Sequence, residues 1–210
     1  MDPYNETAKT WNKVAAIYQE KFMNLDIYNQ SYETFIDAIP KTNASIFEIG
    51  CGPGNITKYL LSKRSDLKIY GIDVAPSMIE LARQNNPTAK FDVMDCRNIG
   101  EINQDFDGIV CGFCLPYLSE GDARKLLIDS FNLLTENGMM YISFVEGDPN
   151  DSGFKTSSTG DRAYFYYYEL EELKKQLIES GFGMPEIYKV IYNKNEKEVE
   201  THTIVLTRKR

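Results

Sequence analysis

Glu48-Ile49-Gly50-Cys51-Gly52-Pro53-Gly54-Asn55 is the stretch that decides the fold. It follows a short apolar run, 45–50 (SIFEIG), and opens a helical pattern, 55–64 (NITKYLLSKR). Glycines at alternate positions let the backbone turn tightly and approach a ligand with no Cβ in the way. Working outward, the next apolar run, 68–73 (KIYGID), ends in Asp73, and further runs follow at 90–95, 107–113 and 139–146. Helical patterns at 76–86 and 120–135 lie between them. Short β-branched or aromatic runs alternating with helices call for a parallel sheet with right-handed crossovers. In such a sheet the ligand crevice lies at the carboxyl ends of the strands, and an acid closing the second strand can accept from both hydroxyls of a ribose. The local reading is nucleoside binding.

The ends of the chain change style. A helical pattern at 169–180 precedes two runs, 186–193 and 202–208, joined by a charged loop from Lys194 to Thr201. Strands so close in sequence pair antiparallel, because a parallel pair needs a crossover of a dozen or more residues. Two helical patterns, 6–23 and 26–38, come before the sheet. The expected architecture is one α/β domain over 1–210. It has a Rossmann-like, seven-stranded, mostly parallel sheet with a C-terminal antiparallel hairpin strand and helices on both faces. Residues 1–40 form a helical cap.

Spacing narrows the nucleoside. A dinucleotide loop reads G-x-G-x-x-G, so that a pyrophosphate can sit on the helix N-terminus. Here the third glycine falls one position early, at Gly54, giving G-x-G-x-G. With Glu48 ahead of it, this loop resembles the first motif of class I S-adenosylmethionine-dependent methyltransferases. The likeness continues in register. Asp73-Val74-Ala75-Pro76-Ser77-Met78 is similar to the family's second-strand motif, and Asp95-Cys96 falls where the family reads adenine. Phe106-Asp107, Leu133-Leu134-Thr135-Glu136-Asn137-Gly138 and Gly181-Phe182 match its later marks.

The resemblance implies S-adenosyl-L-methionine as cofactor, with S-adenosyl-L-homocysteine as product. It implies cofactor contacts from Gly50, Cys51, Gly52, Gly54 and Asn55 in the loop, and from Asp73, Val74 and Met78 after the second strand. Asp95 and Cys96 follow the third strand, and Gly112 and Phe113 end the fourth. Glu48 is implied near the cofactor's methionine end. Residues 10–22 resemble a cap that folds over the cofactor, with Tyr18 closing the pocket and Trp11 near the acceptor. Cys114-Leu115-Pro116-Tyr117 falls where amino-methylating nucleic-acid enzymes carry N-P-P-Y. Cys114 replaces the asparagine that would bind the target amino group, which disfavours such substrates.

The polar stretch 147–163 is expected to be a substrate lid, followed by five aromatics from Tyr164 to Tyr168. Loops that long are often lids or binding loops. Arg162, Tyr164 and Tyr166, with Trp11 and Tyr117, are the candidate acceptor contacts. Glu146 closes the fifth strand and is expected to face the crevice, which makes it, with Tyr117, the candidate catalytic group. His202, the only histidine, sits in the last strand and is expected away from the crevice. Cys111 and Cys114 form a C-x-x-C, but strand alternation aims them apart, so no metal is expected.

Twenty-three basic against 31 acidic residues give a net charge of −8. Such a surface disfavours a phosphate backbone as partner. No apolar run approaches the roughly 20 residues of a membrane span, and Met1 to Thr10 carry no signal-peptide core. With free thiols, these features point to a cytoplasmic enzyme acting on a small-molecule acceptor. The alternatives are a protein or RNA methyltransferase and a cofactor-binding module without catalysis.

Overall fold

A computed structural model describes residues 2–157, 160–193 and 199–210. Residues 158–159 of the expected lid and 194–198 of the expected charged loop lie outside the described residues. Two helices lead, α1 (Pro3–Phe22) and α2 (Asn29–Asp37). Asp2 caps α1 by accepting from the Tyr4 amide at 3.1 Å, and Pro3 occupies its first turn, where a missing N–H is harmless.

The sheet then builds as β1 (Ser45–Ile49), β2 (Lys68–Asp73), β3 (Lys90–Val93), β4 (Phe106–Gly112) and β5 (Leu134–Val145). Between them lie α3 (Asn55–Lys63), α4 (Pro76–Asn85) and α5 (Glu120–Leu133). A small hairpin, β6 (Gly153–Thr156) and β7 (Arg162–Phe165), precedes α6 (Leu170–Glu179), β8 (Glu186–Asn193) and β9 (Val199–Arg208).

The main sheet has seven strands in the order β3-β2-β1-β4-β5-β9-β8. β1 to β5 pair parallel; β9 runs antiparallel to β5 and β8 antiparallel to β9. The order reverses between β1 and β4, the switch point where open α/β sheets bind ligands. Strand alternation divides the core. Phe47, Ile49 and Ile142 face a cluster closed by Leu126, Leu127 and Leu173 of α5 and α6. Ile46, Val110 and Tyr141 face one closed by Phe35 of α2 and Leu60 of α3. Both faces are buried, as a parallel sheet requires.

The expected lid is not a structureless loop. A 3-10 turn, Pro149–Asp151, leads into the β6–β7 hairpin, whose register pairs Gly153 with Phe165 and Thr156 with Arg162. Among the described residues no helix is long and apolar enough to cross a membrane.

Candidate active site

The floor of the site is backbone. β1 delivers Gly50 at φ 66, where the left-handed conformation favours glycine. A Cβ there would lie 2.9 Å from the Cys114 Cβ, so the loop also has no room for one. The Gly52 amide donates to Asp73 Oδ2 at 3.0 Å, and the Ala75 amide donates to Oδ1 at 2.9 Å. Two backbone groups thus orient the carboxylate at the end of β2 and leave lone pairs for a ligand. Burial pushes the Asp73 carboxyl above its ordinary value, against the pull of these amides.

Glu48 lies deeper, 1 % exposed, within β1. Its Oε2 accepts from the Thr57 hydroxyl, while Oε1 is buried with no hydrogen-bond partner. Burial raises its carboxyl to about 8. An orphaned carboxyl oxygen beside a cavity is a place for a cationic donor, whose charge would favour the ionised form that burial alone disfavours.

Both elements border one cavity of about 1060 Å³. Its roof is α1. Asn12 Oδ1 accepts from the Ser77 amide at 2.8 Å, so α1 supplies the missing cap of α4. Gln19 accepts from Asn85 at 2.7 Å further along. This fastening places Tyr18 over the loop: a Cβ on Gly52 would lie 3.6 Å from its ring. The β6–β7 hairpin locks the other side of α1. Thr10 donates to the Arg162 carbonyl at 2.6 Å, the Tyr164 amide donates to Thr7 at 2.9 Å, and Arg162 pairs with Glu6.

The far end is walled by rings. Trp11 meets Tyr18 at 5.5 Å and Tyr117 at 5.3 Å, both edge-on, and Tyr117 meets Phe165 at 5.9 Å. Trp11 Nε1 is buried without a hydrogen-bond partner. Phe113 holds φ 52, uncommon for a bulky side chain. Its ring lies 5.4 Å from Tyr28 and 4.7 Å from His202.

The expected residues divide clearly. Tyr18, Glu48, Gly50, Cys51, Gly52 and Asn55 border this cavity, as do Asp73, Val74, Met78, Asp95, Cys96, Gly112 and Phe113. Trp11 and Tyr117 border it too. Gly54 does not; at φ 80 it ends the loop ahead of α3, packed against Asn86 and Ala82. Asp95 is held by Arg97, whose Nε lies 3.0 Å from both carboxylate oxygens. Burial opposes its ionisation, but the guanidinium wins and its carboxyl is lowered.

Glu146 faces away from the cavity, exposed and paired with Lys189 at 2.5 Å; its neighbour Val145 borders the cavity instead. Alternation along β5 explains the swap. The same rule corrects the aromatic run: Phe165 and Tyr167 reach the cavity, whereas Tyr164 and Tyr166 pack on one another at 4.5 Å behind them. Arg162 clamps the hairpin rather than lining the site. Tyr117 borders the cavity, but burial raises its hydroxyl, so it serves as a neutral phenol.

His202 was expected away from the crevice and lies in its wall. β9 runs antiparallel, and Val145 pairs with His202, so the start of β9 sits at the carboxyl rim of β5. The antiparallel hairpin expected at the C-terminus was the signal that could have found it, once β9 rather than β8 is seated beside β5. Arg97, Tyr28 and Tyr192 are further cavity residues that sequence reasoning missed.

Comparison with known proteins follows this division. Residues 46–138 match the family model for a methyltransferase domain. The 235L protein of Invertebrate iridescent virus 6, which carries a methyltransferase name, is 34% identical over 120 residues, 57% of this chain and 44% of that protein. The malonyl-[acyl-carrier protein] O-methyltransferase of Acetivibrio thermocellus is 31% identical over 130 residues, 59% of this chain and 42% of its own. The chain thus spans under half the length of these two relatives. Among solved structures, the 1,6-didemethyltoxoflavin-N1-methyltransferase of Burkholderia thailandensis, with bound 1,6-didemethyltoxoflavin and S-adenosylhomocysteine, superposes with TM-score 0.73 at 16% identity. That match covers 100% of this chain and 91% of the other, and it shows a shared fold.

Proposed function

We propose that the chain is a class I S-adenosylmethionine-dependent methyltransferase, as its methyltransferase-domain match over 46–138 supports, and that it methylates a small-molecule acceptor by in-line displacement. One observation carries the reading: a single cavity joins the Gly50–Asp73 floor to the ring-lined end. Its volume of about 1060 Å³ sits at the top of the range for one ligand, roughly 300–1,000 Å³, which leaves room for a cofactor and a second small molecule.

The residues fit the cofactor. Asp73 is oriented to accept from ribose hydroxyls, and the unpaired Glu48 Oε1 suits the ammonium of the methionine end. When bound, the sulfonium supplies an electrophilic methyl group. The chain's own work is then to align the acceptor and keep water out, effects that can supply about 7–11 kcal/mol. Tyr18 and α1 roof one end; Trp11, Tyr117 and Phe165 wall the other. Names among the matched proteins, malonyl-carrier and 1,6-didemethyltoxoflavin enzymes, support a non-nucleic-acid acceptor. Four unpaired thiols suit a reducing compartment such as the cytoplasm.

The test is calorimetric titration of wild type and Asp73→Ala with S-adenosylmethionine and, separately, with NAD. Micromolar binding of the first, lost in the variant, is the expected result. Absent binding, or preference for NAD, overturns the reading.

A further inference from the structure

Among the described residues, outside the groups used so far, the cavity wall holds a hydrogen-bonded chain of proton-active side chains. The Tyr28 hydroxyl lies 2.6 Å from His202 Nδ1, and His202 Nε2 lies 3.1 Å from Glu200 Oε2. All three residues border the cavity. We propose that Tyr28, His202 and Glu200 form a proton relay at the acceptor end, so that the acceptor's attacking atom carries a proton, as a phenolic hydroxyl or ring N–H does, rather than being a carboxylate. The inference deepens the methyl-transfer reading and rests on it.

The hydrogen-bond directions follow from chemistry. An ionised carboxylate only accepts, so the hydrogen of the neutral imidazole sits on Nε2 and points at Glu200. Nδ1 then carries the lone pair, and the Tyr28 hydroxyl donates to it. This is the arrangement by which an adjacent carboxylate fixes the tautomer of an imidazole and stabilises its protonated form. The ring cannot swing out of register. It stacks on Tyr192 at 5.0 Å and 22° and meets the Phe113 edge at 4.7 Å. Tyr28 is 7% exposed and His202 6%, so the bond between them is shielded from solvent, while the Glu200 side chain, 21% exposed, keeps contact with water.

The relay keeps atoms and charge in balance. The acceptor's X–H bond breaks and its electron pair stays on X to form the bond to the methyl carbon, as the carbon–sulfur pair leaves with the thioether. The proton passes to the Tyr28 oxygen while the proton of Tyr28 passes to Nδ1. A neutral phenol and an imidazolium beside Glu200 result, and the imidazolium returns its proton to solvent after product release. Burial holds the Tyr28 hydroxyl far above its ordinary range, so a resting phenolate is excluded and the two transfers occur together. The surrounding rings, Trp11, Phe113, Tyr117, Phe165 and Tyr167, suit a flat aromatic acceptor.

Two measurements decide. His202 is the only histidine, so protein labelled with 15N-histidine has one imidazole to observe. A neutral ring with hydrogen on Nε2 at pH 7, altered in Tyr28→Phe and Glu200→Gln, is expected; hydrogen on Nδ1, or a doubly protonated ring, overturns the relay. The second arm follows S-adenosylhomocysteine formation with phenols of graded acidity, benzimidazole and benzoate. Tyr28→Phe and His202→Asn are expected to slow weakly acidic acceptors about 10²–10³-fold and to leave the already ionised 4-nitrophenolate nearly unchanged. Equal slowing of all acceptors marks a merely structural role and overturns the relay. Preference for benzoate, or turnover of none while S-adenosylmethionine binds, overturns the acceptor class. Loss of S-adenosylmethionine binding itself would sink the methyl-transfer reading and leave the imidazole result standing.

Discussion

The two ends of the cavity are built from different materials. The floor is main chain: the glycine loop and the amides that orient Asp73 come from the ends of β1 and β2. The proposed acceptor end is side chain: rings from α1, the segment after β4, the β6–β7 hairpin and β9, brought together from distant parts of the sequence. Main-chain geometry tolerates almost no replacement, because a Cβ cannot be removed by choosing another rotamer. Ring packing adapts more readily, since aromatic contacts are broad in angle. The family match spans 46–138, which holds the floor together with Phe113 and Tyr117, and stops short of α1, the hairpin and β9.

The sharpest way to break this contrast is Gly50→Ala. The left-handed backbone costs about 1–3 kcal/mol, and the new Cβ overlaps Cys114. A drop in S-adenosylmethionine affinity of about 100-fold, or roughly 2.8 kcal/mol, is expected by calorimetry, with a lower melting temperature. Wild-type affinity in this variant would show that the floor bends as easily as the rings.

Glu48 tests the floor through pH. Its carboxyl keeps its proton in the fold up to about 8, against an ordinary value of 4.5. Between those values the folded chain binds more protons than the unfolded one, so ligand-free stability falls as pH rises across that window. Glu48→Gln should flatten the decline, leaving it more stable than wild type at pH 8.5 by a few kcal/mol. Thermal denaturation at pH 5, 7 and 8.5 measures this; parallel curves for the two proteins break it.

Trp11→Ala and Phe165→Ala sharpen the comparison from the other side. Each should raise the acceptor KM about tenfold, the scale of 1–2 kcal/mol for lost ring contacts, with cofactor affinity within threefold. Equal damage to both affinities would mean the ends are not separate. Arg162→Ala carries the smallest effect. Its pair with Glu6 is exposed, where salt screens and solvent competes, so melting should barely change. Protease cleavage within the hairpin should quicken; unchanged cleavage would show that the clamp is dispensable.

What the sequence disclosed follows the same division. The parallel sheet, the antiparallel tail and the loop–Asp73 pair were legible because hydrophobic period and glycine spacing are local properties. The proposed acceptor wall was not, because its membership turns on parity. Tyr164 and Phe165 are chemically alike, and only the register of a hairpin pairing Gly153 with Phe165 sets which faces inward. Glu146 and Val145 exchange places for the same reason. His202 was misplaced because an antiparallel strand starts at the rim where its parallel neighbours end. Asp95 was read from its position alone, without the neighbouring Arg97 that claims its carboxylate.

The clamp between α1 and the hairpin also fixes an order of events. Its hydrogen bonds join residues 152 and 157 positions apart. During synthesis, at about 5–20 residues per second, α1 emerges roughly 8–30 s before the strand it must grip. The floor, made of consecutive segments, can assemble within that interval. α1 can therefore seat on α4 early, through contacts 65 and 66 positions apart, but gains its hairpin clamp late, and the growing chain holds a half-open basin before it holds a closed chamber.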